Sequence, residues 1–267
     1  MPQAVLSEAI APLRAHPDKA AILLDIDGTL APIVEHAEDA HVPEPTRQLL
    51  IEISRRYGTV ACVSGRRASD ARAMVKIGSI SYLGSHGVEL LRAGWTEATL
   101  EPEVEEWVRR IHEFGRSAIT PEVRRSRIRL EDKGPIVALH WRGAPDEEAA
   151  RGVVDGIAAD AEAGGLKTHW GRKVLEIRPP VRIDKGAGIE SFLEDAPVAA
   201  AMYVGDDTTD LDAFRALRGL ANRGTLEHAL CVGVRSDEGP AEITDEADIV
   251  VDGTDGVHEL LTSLVAT

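Results

Sequence analysis

Two carboxylates, Asp25 and Asp27, stand one residue apart after the apolar run Ala21-Ile22-Leu23-Leu24, and Gly28-Thr29 follow at once. In extended chain, side chains two residues apart point the same way, so both acids face one small volume. Like charges that close repel unless a cation separates them. A divalent ion held by oxygen ligands, with room for water, points to Mg²⁺. Three further segments join the pair. Ser64-Gly65-Arg66 offers a hydroxyl and backbone N–H groups that glycine lets a ligand approach. Lys185 follows Asp184, and Gly205-Asp206-Asp207 leads on to Asp210. More acids strengthen the need for a cation, and an ammonium with a hydroxyl is what a phosphoryl oxygen needs beside a metal. Taken singly, these are ordinary features: a solvated Asp-rich turn, a Ser-Gly turn, a helix lysine and a helix N-cap. Their joint occurrence at strand ends is what speaks for phosphoryl chemistry.

The elements that position them alternate. A helix over 3–15 precedes the first strand, and a polar, Pro-containing loop follows it through Pro45. A helix over Thr46–Tyr57, a buried strand over Thr59–Val63, a helix over Ala68–Lys76 and a strand over Ile80–Leu83 come next, the last ending in Gly84-Ser85-His86-Gly87. After an interruption the pattern resumes with a helix over Lys185–Glu194, a strand over Ala200–Val204 and a helix over Thr209–Leu217. Strands near Leu230–Val234 and Ile249–Val251 and a last helix from Val257 complete it. Such alternation predicts an α/β core with a Rossmann-like parallel sheet, whose ligands sit at the carboxyl ends of its strands.

The interruption has another pattern. A charged amphipathic helix over Glu101–Ile119 leads to strands over Ser126–Glu131 and Pro135–Arg142, joined by Asp132-Lys133-Gly134. A helix over Pro145–Ala163 and a second hairpin, Leu166–Trp170 with Lys173–Ile177, close the module, and Pro179-Pro180 marks its end. The expected organisation is a core of residues 1–99 and 180–267 with an inserted α+β module over 100–179.

Composition bounds the function. The chain has 267 residues, 43% hydrophobic, 28% charged and only 4% aromatic, so its core rests mostly on Ala, Val, Leu and Ile. Its formal charge of −15 argues against nucleic acid or an anionic membrane as partner. An anionic substrate then needs a local cluster of metal, lysine and backbone N–H groups. Cys62 and Cys231 lie in apolar runs and are expected to be buried thiols. Neither a secretory signal nor a bilayer-spanning run is visible, so a cytoplasmic protein, with a monomer favoured, is the default expectation.

Asp25-Ile-Asp27-Gly-Thr-Leu, Ser64-Gly-Arg, Lys185 and Gly205-Asp-Asp-Thr-Thr-Asp210 together resemble the four motifs of the haloacid-dehalogenase (HAD) superfamily of phosphotransferases, over nearly the whole chain. The insert is similar to that superfamily's α/β cap. Gly84-Ser-His86-Gly, Glu131-Asp-Lys133-Gly, His140-Trp-Arg142 and Lys173-Val-Leu-Glu176-Ile-Arg-Pro resemble, more narrowly, the trehalose-6-phosphate phosphatases. The resemblance implies that Asp25 is nucleophile and Mg²⁺ ligand and that Asp27 is general acid/base, its backbone carbonyl also ligating. It gives Asp206 as third metal ligand, Asp207 and Asp210 as supports, and Ser64, Gly65 and Lys185 as the phosphate site. Arg66 and His86 are further candidates.

A core that handles phosphate does not choose its leaving group; a cap closing over it does, by aiming polar side chains at sugar hydroxyls. Glu131, Lys133, Arg142, Lys173 and Glu176 are the candidates, the first two because they flank a turn. Surface ion pairs across a sheet are the plainer alternative for each of them. Trp107, Trp141 and Trp170 are expected in the cap's own core. The implied substrate is the small-molecule sugar phosphate trehalose 6-phosphate. Sucrose phosphate, mannosyl phosphoglycerate or another sugar phosphate, and a non-catalytic sugar-phosphate-binding domain, are the competing readings. The acidic loop Glu35–Glu44 matches no motif.

Overall fold

In the computed structural model of this chain the apolar run Ala20–Leu24 is a strand, β1, whose five residues are all buried, because helices cover both of its faces. The structure describes residues 3–34, 40–100, 102–194, 196–236 and 239–266; positions 35–39 of the acidic loop lie outside the described residues. Before β1 stand α1 (Gln3–Ala9) and α2 (Ala11–Ala15). After it come α3 (Glu44–Arg56), β2 (Thr59–Val63), α4 (Ala68–Val75), β3 (Ser81–Gly84), β4 (Glu89–Leu91) and the two-residue β5 (Thr99–Leu100). The middle of the chain forms α5 (Pro102–Ala118), α6 (Pro121–Arg125), β6 (Arg129–Asp132), β7 (Val137–His140), α7 (Glu147–Ala163), β8 (Lys167–Gly171) and β9 (Val174–Arg178). Last come α8 (Lys185–Glu194), β10 (Ala200–Gly205), α9 (Asp210–Asn222), β11 (His228–Arg235), α10 (Ala241–Glu246), β12 (Ile249–Asp252) and α11 (Gly253–Val265).

Contacts divide the chain into two units, Met1–Thr99 with Ile183–Thr267, and Leu100–Arg182. The first is built on a sheet of order β12-β11-β10-β1-β2-β3-β4-β5. Pairing is parallel from β12 through β3, and β4 turns antiparallel on β3. Alternation along β1 splits its core: Ile22 and Leu24 pack with α1 to α4 and α11, while Ala21 and Leu23 pack with α8, α9 and α10. The chain leaves β1 toward β2 on one side and returns through β10 on the other. That reversal makes the carboxyl end of β1 the crevice where α/β sheets bind ligands.

The second unit carries an antiparallel sheet of order β6-β7-β9-β8, both hairpins forming as expected. Its apolar face, Val137, Leu139, Leu175 and Ile177, packs with Ile111 of α5 and with Ala150, Val154 and Ala161 of α7. Trp141 lies in this core, with Trp107 and Trp170 packed against it, and Arg151 stacks over the Trp170 ring at 3.7 Å. Cys62 and Cys231 are buried free thiols. No helix among the described residues is long and apolar enough to cross a membrane.

Several elements differ from expectation. The helix over 3–15 is two helices, because Pro12 in the first turn of α2 has no N–H to continue the ladder. The strand expected from Ser126 begins at Arg129. The residues before it form α6, started by Thr120, whose side chain accepts from the Val123 N–H, with Pro121 next. β4 makes the sheet mixed rather than wholly parallel. Neither β4 nor α10 was expected, and α11 starts at Gly253, four residues before Val257.

Candidate active site

The site grows from the turn after β1. The Asp25 N–H still donates to Val204 O at 2.9 Å, so this residue remains in line with the sheet. The chain then folds back: the Leu30 and Ala31 N–H groups both donate to Ile26 O, at 2.9 and 2.8 Å. Gly28 takes φ +82° here, and a Cβ on it would lie 2.0 Å from Asp206 Oδ2. Glycine is thus required twice, for its backbone and for the space that Asp206 occupies. The Thr29 hydroxyl donates to Asp206 Oδ1 at 3.3 Å and orients that carboxylate.

Lys185, the first residue of α8, is buried and places Nζ 2.6 Å from Asp25 Oδ1 and 2.6 Å from Asp210 Oδ1. The Tyr203 hydroxyl, from β10, donates to the same Asp210 oxygen at 2.6 Å. Asp210 Oδ2 accepts from the Asp206 and Asp207 N–H groups, each at 2.9 Å. Asp210 therefore ties the turn after β10 to the lysine of α8. Oxygens of Asp25, Asp206 and Asp210 lie within 4.8 Å of one another, and all three residues are buried.

Ser64 ends β2. Its buried hydroxyl oxygen accepts from the Arg66 N–H at 3.1 Å, which leaves the O–H to donate. Arg66 grips the Asp27 carboxylate with two bonds, Nε to Oδ2 at 2.8 Å and Nη2 to Oδ1 at 2.7 Å. Such a fork fixes both position and orientation. The His86 ring lies against Gly65, where a Cβ would come within 2.9 Å of His86 Cε1.

Three buried carboxylates face one ammonium, and the titration of the groups reflects it. Burial pushes the Asp25 carboxyl well above its ordinary range; Lys185 opposes this, while Asp210 and Asp206 add to it. Burial and the repulsion of Asp210 push Asp206 up to about 6. Burial disfavours the Lys185 ammonium, but Asp210 and Asp25 outweigh it and hold the lysine above its usual range. Compact, buried, oxygen-only and short of positive charge, the trio suits a hard divalent cation such as Mg²⁺.

Not every candidate joins this cluster. The Asp27 side chain is engaged with Arg66. Asp207 is exposed and contributes its backbone N–H, while its carboxylate accepts from Thr208. Tyr203 and Thr29 enter the network without having been singled out. Tyr203 sits inside an apolar strand and gives no sign of it, whereas Thr29 follows the Asp-Gly turn and is legible in hindsight.

The candidates of the second unit separate into two groups. Register places Glu131, Ala138, Glu176 and His169 in one row across the four strands, on the face opposite the apolar core. Glu131 meets His140 Nε2 at 2.7 Å, and Lys133 meets Glu176 at 3.2 Å. Burial raises the Glu176 carboxyl, but Arg178 and Lys133 overcome this and hold it below its ordinary range. Lys173 instead pairs with Glu147 at 2.5 Å, and Arg142 donates to the Arg172 carbonyl at 3.4 Å. These two stand at the far hairpin, apart from the row.

Comparison with known proteins follows the same lines. The chain is 31% identical over 215 residues to trehalose 6-phosphate phosphatase RA3 of Zea mays, covering 74% of this chain and 59% of that one. It is 32% identical over 216 residues to trehalose-phosphate phosphatase B of Arabidopsis thaliana, covering 74% and 56%. The chain thus spans rather more than half the length of these curated relatives. Among solved structures, trehalose-6-phosphate phosphatase of Aspergillus fumigatus matches with a TM-score of 0.68 at 21% identity, covering 97% of each chain. A haloacid dehalogenase-like hydrolase from Bacteroides thetaiotaomicron matches at 0.58 and 18%, covering 91% of this chain and 98% of that one, and both share the fold. Residues 23–247 match the model of the trehalose-phosphatase family, and the chain belongs to that family.

Proposed function

We propose that this chain is a Mg²⁺-dependent phosphatase that hydrolyses trehalose 6-phosphate to trehalose and phosphate through a phosphorylated Asp25. The carrying observation is the convergence of Asp25, Asp206 and Asp210 on the buried Lys185 ammonium at the crevice beyond β1. A cation held by Asp25, Asp206 and the Asp27 carbonyl would neutralise phosphoryl oxygens when bound.

Lys185 and the Ser64 hydroxyl hold those oxygens, offsetting the charge that otherwise repels an anionic nucleophile. An Asp25 oxygen attacks phosphorus, its bond to phosphorus forming as the bond to the sugar oxygen breaks. Asp27 gives that oxygen its proton. Arg66 forks onto the Asp27 side chain in this structure, so donation to the sugar oxygen requires Asp27 to turn from the guanidinium. Once ionised again, Asp27 takes a proton from water as the water attacks phosphorus and frees Asp25. Trehalose leaves first and phosphate second. Residues 100–179 act as the cap, with Glu131, Lys133 and Glu176 recognising sugar hydroxyls, and the protein is placed in the cytoplasm.

The test is phosphate release from purified trehalose 6-phosphate with and without Mg²⁺. Metal-dependent release is expected, and Asp25→Asn abolishes it while the protein stays folded. A faster rate on sucrose phosphate or mannosyl phosphoglycerate would replace the substrate. No turnover of any monoester would leave a sugar-phosphate-binding domain.

A further inference from the structure

The residues from Ser85 to Gly87 adopt a backbone that their sequence does not favour. Ser85, His86 and Gly87 all have positive φ, at +50°, +60° and +95°. Only the last is a glycine, and each side-chain-bearing residue in this region costs about 1 kcal/mol or more. Such a turn persists only where its surroundings hold it. Here they hold it from two sides. Toward β2, the Ser85 N–H donates to Arg66 O at 2.7 Å and the His86 N–H to Ser64 O at 3.0 Å, while the His86 ring covers Gly65. Toward α8, Gly87 meets Gly188 so closely that a Cβ on Gly188 would lie 2.5 Å from Gly87 Cα. A Cβ on Gly87 would stand 3.0 Å from Asp184 O, the residue before Lys185.

We propose that the left-handed Ser85–Gly87 turn is the positioning element of the phosphate site, with His86 as its positioning residue: it locks the Ser64–Arg66 loop on one side and the Lys185 end of α8 on the other. This rests on the phosphatase reading above. The two groups assigned to phosphoryl oxygens, Ser64 and Lys185, come from elements far apart in sequence. Each is mounted on this one turn, by hydrogen bonds on the β2 side and by glycine-to-glycine backbone contact on the α8 side. The contacts that hold this strained turn on both sides then set the separation of the two parts of the anion site. Because His86 acts on the anion site, its effect is independent of the leaving group.

The experiment compares wild type, His86→Ala and Gly188→Ala. Binding of inorganic phosphate in the presence of Mg²⁺ is read by calorimetry, and kcat/KM is read on trehalose 6-phosphate and on p-nitrophenyl phosphate. The expected result for His86→Ala is phosphate binding weakened about tenfold, with equal losses of kcat/KM on both substrates and a melting temperature close to wild type. Gly188→Ala, whose Cβ meets the Gly87 backbone at 2.5 Å, gives the same losses of phosphate affinity and of kcat/KM together with a lowered melting temperature; should it fail to fold, His86→Ala decides alone. Phosphate affinity within twofold of wild type in His86→Ala overturns the proposal, and so does a loss confined to trehalose 6-phosphate, which makes His86 a sugar contact. If wild type turns over no monoester, the phosphatase reading fails, while the phosphate-binding comparison still decides the role of the turn.

Discussion

Each oxygen of Asp210 accepts two hydrogen bonds, one from Lys185 and one from Tyr203 at Oδ1, and two from backbone N–H groups at Oδ2. An amide cannot replace it. Whichever way an asparagine turns, its NH₂ meets two donors, leaving buried groups unpaired. Tyr203→Phe removes a single donor and leaves Asp210 with three, a loss of about 1 kcal/mol. The expected outcome, in saturating Mg²⁺, is a melting temperature lowered by roughly 2–4 °C for Tyr203→Phe and by clearly more for Asp210→Asn. Equal shifts would mean that Asp210 is not the junction of the network. The acids and Lys185 were legible in the sequence because charge in a run of strand ends is conspicuous. Tyr203 was not, since within Ala200–Gly205 a tyrosine reads as one more buried residue, and its partner is placed by the turn between them.

At the scale of elements, the site exists because β1, β2 and β10 are neighbours whose carboxyl ends share one edge, and the turns after them decide where side chains go. Gly28→Ala tests the first of these turns. A methyl group there meets Asp206 at 2.0 Å in a backbone region that alanine disfavours, so Asp206 must move from Asp25. The variant is expected to lose most of the rise in melting temperature that Mg²⁺ produces in wild type; an undiminished rise would show that the cation does not depend on Asp206. A second test concerns the polar face of the sheet β6-β7-β9-β8. Glu131→Ala and Lys133→Ala are expected to reduce turnover of trehalose 6-phosphate more than that of p-nitrophenyl phosphate, which offers no hydroxyls to recognise. Equal losses would return both residues to simple ion pairing across the strands. Strands and long helices were legible from apolar runs and 3.6-residue periodicity. β4, α6 and α10, with three, five and six residues, are too short to show a period. Only α6 carried another signal, Thr120-Pro121-Glu122, the beginning of a helix.

Across the whole molecule, negative charge is in excess at the surface and at the buried site alike, and the two differ in how they respond to pH. Surface carboxylates are screened by water and salt. Asp25 and Asp206 are not, and both are held above their unfolded values, Asp206 at about 6. The sign follows from linkage: a carboxyl raised on folding binds more protons in the folded state, so its contribution is fully present below its unfolded pKa, about 4, and is lost as pH rises through the folded value. Without a cation, the site therefore weakens the fold progressively from about pH 4 to beyond 6. A divalent ion reverses this, because it binds the ionised carboxylates and so adds most where they have lost their protons. Groups remote from the cation contribute alike with and without it and cancel in the difference. The rise in melting temperature on adding Mg²⁺ should then be small near pH 4.5 and grow steadily to pH 7.5. In a variant lacking one acid, such as Asp206→Asn, the growth should be largely gone. A Mg²⁺ increment that is flat across this range would place the cation at exposed carboxylates rather than at the buried trio.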